Sequence, residues 1–101
     1  MQPLPWRYEV TYEATRDDLV AWLAQCVLSV GEWRWLPAEV GPSSLTFCAP
    51  DHPAVTGEHV FGLVYRDDRA TVSLLSHSDM ALVLYLDLIR LLDQQFPRYL
   101  R

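Results

Sequence analysis

The chain has no lysine and no asparagine; all eight basic residues are arginine, against thirteen acidic ones, for a formal charge of −5. An all-arginine set reads as compositional bias of the source, not as function. The negative charge says more. Nucleic-acid binding wants a basic face, and docking on anionic lipid wants a basic patch, so neither partner is expected. Two cysteines make no disulfide framework. The four glycines stand apart at 31, 41, 57 and 62, which excludes a glycine-rich phosphate loop and disfavours nucleotide binding. Tight metal-ligand spacings such as Cys-x-x-Cys or His-x-x-x-His are missing, and so is a Gly-x-Ser-x-Gly nucleophile elbow. No cofactor is implied. The opening residues, MQPLPW, lack the basic region and apolar stretch of a signal peptide, which makes the cytoplasm the expected compartment. No apolar run reaches the about 20 residues that cross a bilayer. Repeats, linkers and low-complexity tracts are absent as well, so residues 1–101 are expected to form a single domain.

What is present is an unusual amount of apolar surface: half of all residues are hydrophobic. It concentrates in the stretch 76–96, SHSDMALVLYLDLIRLLDQQF. At about 100° per residue, Ala81, Leu82, Tyr85, Leu88, Ile89, Leu92 and Phe96 gather on one broad side of a helix. Asp87, Arg90 and Gln94 lie opposite. Met80, Val83 and Leu84 fall on or beside the polar side, flanked by Leu91. That surplus needs cover from a wrapping sheet, from a second protein surface, or from a small apolar ligand. Ser76-x-x-Asp79 fits a capping box, with Ser78 a rival N-cap. Pro97 ends the helix after Phe96.

The rest of the chain alternates as strands do. Over residues 6–14, Trp6, Tyr8, Val10, Tyr12 and Ala14 share one parity and Arg7, Glu9, Thr11 and Glu13 the other, a strand with one side buried. Thr15-x-x-Asp18 opens a helix expected to run to about residue 30, with Leu19, Trp22, Leu23, Cys26, Val27 and Val30 as its buried stripe. Residues 32–40 read as a strand carrying Trp33 and Trp35, and Pro37 confines it to a sheet edge or a bulge. A turn at 41–44 leads into a strand over 45–49, and 50–58 is a loop. Residues 59–66 and 70–76 form a hairpin in which Tyr65 meets Ala70, Leu63 meets Val72 and Phe61 meets Leu74. Asp67-Asp68 lacks the glycine of a tight turn, so a four-residue loop over 66–69 is expected. The order β-α-β-β-β-β-α, with short connections, predicts an α+β fold: a mostly antiparallel sheet with two helices packed on one face.

Chemistry-bearing residues are sparse. His52, Glu58, His59, His77 and Asp79 converge at the base of the hairpin, and a metal site there would use His52, His59, His77 and Asp79. Opposite strand parity sends His59 and His77 to opposite sides of the sheet, which weighs against it. The Ser76–Asp79 run holds the residue types of a hydrolytic triad, but capping accounts for them. Trp33 and Trp35 share one side of an edge strand, as binding hot spots or as core. The leading expectation is therefore a non-catalytic protein–protein interaction module, an adaptor, an inhibitor or immunity-type protein, or a subunit. It would associate, most simply as a homodimer, through Trp33, Trp35, Met80, Val83, Leu84 and Leu91. The alternatives are a small apolar-ligand carrier or sensor binding between sheet and last helix, and a metal-dependent enzyme using His59 and His77.

Overall fold

The structure, a computed structural model, describes residues 8–25, 34–50, 52–76 and 78–99. Its elements are β1 (Glu9–Glu13), α1 (Arg16–Gln25), β2 (Leu36–Val40), β3 (Ser44–Cys48), β4 (Phe61–Arg66), β5 (Arg69–Leu74) and α2 (Asp79–Gln95). The five strands form one sheet in the order β1-β5-β4-β3-β2, and every pairing is antiparallel. Strands β2 to β5 are thus a meander, and β1 closes onto the last of them. This is the α+β architecture that the alternation of periods predicts.

Register decides which side chains go inward. Tyr12 sits opposite Ala70, and Ala70 opposite Tyr65. Val10, Val72, Leu63 and Leu45 form the next row, and Phe61 faces both Phe47 and Leu74. Successive residues point to opposite sides, so these rows make one apolar side. Both helices cover it: Leu19 and Leu23 of α1 and Ala81, Leu84, Tyr85, Leu88, Ile89 and Leu92 of α2 join the same buried cluster. The other side carries Glu9, Thr11, Thr46, Gly62, Val64, Thr71 and Ser73, and no described element packs over it.

The hairpin pairs as the sequence predicts, but its turn is tighter. Arg66 pairs with Arg69, leaving a two-residue connection. Asp67 supplies the left-handed conformation itself, at φ 52°, a role that aspartate fills more readily than most residues. On β2, Pro37 meets both of its expected constraints, since β2 is an edge strand and its register shifts between Pro37 and Glu39. The freed Glu39 N–H donates to Thr46 Oγ1 at 3.0 Å.

Helix starts follow their caps. Thr15 Oγ1 accepts from the Asp18 N–H at 3.1 Å. For α2 the cap is Ser78 and not Ser76: Ser78 is extended and its Oγ accepts from Ala81 N at 3.2 Å. Phe96 closes the other end, its N–H bonded to Leu92 O. The expected strand over 6–14 is shorter, Glu9–Glu13, and the part of the first helix beyond Gln25, with Cys26, Val27 and Val30, lies outside the described residues.

Two substitutions test this core. Leu88 is fully buried in the middle of the α2 stripe, so Leu88→Ala should cost about 2–5 kcal/mol in denaturant unfolding. Tyr85 is also fully buried, and its hydroxyl donates to Val72 O at 2.8 Å. Tyr85→Phe should cost only about 0.5–1.5 kcal/mol. A larger loss for Tyr85→Phe than for Leu88→Ala would mean that polar pairing, not burial, holds α2 down.

Candidate functional site

The surplus apolar residues of α2 divide into two sets. Leu84 is buried within this chain as part of the core cluster. Met80 and Val83 are not covered: they are 38% and 55% exposed, and Leu86 joins them at 47%. Leu91 is partly buried against the core. The exposed stripe is thus Met80, Val83 and Leu86, three residues apart on successive turns. Leu86 ends the uncharged run, and its i+4 neighbour Arg90 is the signal in the sequence that places it on the outward side. Beyond it the same side turns polar, with Arg90 donating to Asp87 Oδ1 at 2.8 Å.

Of the two tryptophans on the candidate surface, the structure places one. Trp33 lies outside the described residues. Trp35 is buried, the core alternative of the two that its strand position allows. It shares strand parity with Pro37, which pairs with Phe47 on the covered side. Its ring meets Phe61 edge-on at 4.9 Å, and Phe61 stacks on Phe47 at 4.8 Å. The Trp35 indole N–H has no acceptor among the described residues.

The hairpin-base residues are drawn to separate partners. His52 is buried, and its Nδ1 accepts from Ala54 N at 3.2 Å. His59 is exposed, with Nδ1 3.9 Å from Glu39 Oε1 on β2. His77 lies outside the described residues, and Asp79 takes the first position of α2. Among the described residues, no group of three or more His, Cys, Asp or Glu is arranged to hold a metal ion. What does converge is Glu58 with two serines. Ser76 Oγ donates to Glu58 Oε1, and Ser78 Oγ donates to the same oxygen at 2.9 Å. This ties the proline loop to the start of α2. Cys48 points to the uncovered side, as its parity predicts, with Sγ 3.6 Å from Leu36 O.

A second cluster was not foreseen. Residues 97–99 run along the outer edge of β1: Glu13 N donates to Pro97 O at 2.9 Å, Tyr99 N donates to Thr11 O at 2.8 Å, and Tyr12 bridges Arg98. Asp93 anchors this segment. Arg98 donates to both of its oxygens at 2.8 Å, a fork-on-fork pair, and the buried Tyr12 hydroxyl donates to Oδ1 at 2.9 Å. The Arg98 hydrogen bonds hold the Asp93 carboxyl below its ordinary value, and burial and Asp93 together push the Tyr12 hydroxyl up, so it stays a donor. The signal for this cluster, Asp93 and Arg98 either side of a helix-ending proline, is visible only once β1 is known to lie beside it.

Compared with known proteins, the chain matches no family model, no curated protein and no solved structure. Among the described residues no helix is long and apolar enough to cross a membrane.

Asp93 gives a pH prediction with a definite sign. Its folded pKa is lowered, so it contributes stability above the ordinary value of 3.8 and loses that contribution as pH falls through the folded value. Both Asp93 and Arg98 are largely open to water, which weakens the pair. Measured by thermal unfolding as pH drops from about 5, wild type should lose more stability than Asp93→Asn. Parallel curves would remove Asp93 as a contributor.

Proposed function

We propose that the chain is a non-catalytic protein–protein interaction module that associates with a second copy of itself through the outer side of α2. The observation that carries this reading is the exposure of Met80, Val83 and Leu86 as one stripe. Scattered exposed apolar residues need no explanation; three on one side of one helix form a patch, and patches mark contact sites. A two-fold contact suits it, because the same patch then serves both partners. The polar half of that side, with Asp87 and Arg90, would form the rim, where charged residues belong. A stable interface takes about 800 Å² per partner. The stripe would therefore be its centre and not its whole extent. The cytoplasmic setting expected from the sequence is part of this proposal.

The carrier reading would place its ligand between sheet and α2. That layer is occupied by Tyr12, Tyr85, Leu63, Leu88, Leu92 and Val72, all fully buried, so no observation favours it. The enzyme reading needs His59 and His77 to act together, and His59 is engaged with Glu39 on the neighbouring edge strand.

The double variant Val83→Asp with Leu86→Asp tests the proposal by light scattering. Wild type should scatter as a dimer and the variant as a folded monomer, since neither side chain belongs to the core. A wild type that is monomeric across concentrations ends the self-association reading.

A further inference from the structure

We propose that the uncovered side of the sheet holds a binding site for a small molecule with one dianionic end, built from Arg66, Arg69 and Tyr99. The depression lies over β1, β4 and β5 and is bounded by the C-terminal segment, with a volume of about 480 Å³. That is within the range of small-molecule sites, roughly 300–1,000 Å³.

The hairpin register sets the two arginines directly opposite each other. Their parity matches Val64 and Thr71, so both guanidiniums belong to the uncovered side. Like charges facing each other across a strand pair are unfavourable. Neither arginine forms an ion pair with a described residue. This holds although Glu13 faces Arg69 in the register and Asp67 and Asp68 form the turn between them. The two guanidiniums thus share one end of the uncovered side with no ion pair to a described carboxylate. A dianionic group between the two forks would relieve the repulsion and take charge-assisted hydrogen bonds from both.

The site is also held in position. The Arg69 guanidinium carbon lies 4.3 Å from the centroid of the Tyr99 ring, which stacks the planar fork. Tyr99 is in turn fixed by its N–H bond to Thr11 O and by the adjoining Arg98–Asp93 pair. The floor is quiet: Thr11 Oγ1 and Thr71 Oγ1 bond each other at 2.8 Å, and Val64 offers an exposed apolar platform. Glu9 lines the far end, four residues or about 13 Å along β1 from the arginine row. The facing arginine pair lies at one end of the depression only. The ligand is therefore one-ended, a phosphate monoester or a dicarboxylate on a compact apolar body.

Phenyl phosphate and phthalate are the probes, titrated separately against the full chain and followed by amide chemical shifts. Saturable binding of one or both is expected, and the tighter probe identifies phosphate ester or dicarboxylate as the natural end group. Arg66→Gln and Arg69→Gln should each weaken it roughly tenfold or more. Tyr99→Phe should keep it and Tyr99→Ala should weaken it. Arg34→Gln removes the same charge from an exposed position beside the far edge strand and should leave probe binding unchanged. All these side chains lie outside the core, so circular dichroism should show every variant folded. Absence of saturable binding by both probes at millimolar concentration overturns the proposal, as does equal weakening by Arg66→Gln and Arg34→Gln.

Discussion

Everything else in this molecule depends on the burial of one side of α2 against one side of the sheet. The two periods involved are incommensurate, 3.6 residues in the helix and two in the strands. What reconciles them is a stripe at Ala81, Leu84, Tyr85, Leu88, Ile89 and Leu92 lying over rows that run through Val72, Leu63 and Leu45. Once that contact is set, the outer side of α2 and the far side of the sheet are both assigned. The first leaves Met80, Val83 and Leu86 exposed, and the second leaves the arginine pair of the hairpin facing solvent. A one-residue slip of β5 would exchange its inward and outward sets and undo both.

The two edges of the sheet are managed differently. The β1 edge is paired by residues 97–99, held there by Asp93 through Arg98 and Tyr12. The β2 edge is interrupted by Pro37 and by a register shift, devices that discourage an extra strand from adding on. Association through strand pairing is thus disfavoured at both edges. The Asp93 anchor has a second consequence, since it brings Tyr99 beside Arg69 and completes the depression on the uncovered side.

Much of the fold was legible because apolar pairs agree with one another. In the hairpin, Tyr65 with Ala70, Leu63 with Val72 and Phe61 with Leu74 leave only one register that buries every member. The turn was not legible, because only the folded backbone shows that Asp67 accepts a left-handed conformation. Leu84 sits at the edge of the helix's buried arc, and only tertiary packing decides how far that arc extends. Trp35 followed the parity of Pro37 into the core, a parity that is uninformative until β2 and β3 are known to pair. The groupings of Asp93 with Tyr12 and of Arg69 with Tyr99 join residues far apart in sequence. No local pattern announces them.

The outer side of α2, which we propose as the contact surface between copies, carries Met80. The chain has two methionines, Met1 and Met80, so methyl-labelled methionine reports on that surface with almost no spectral overlap. Followed on dilution, the Met80 methyl should shift with concentration along a dimer–monomer curve. A Met80 resonance that stays fixed across the full concentration range would contradict the account.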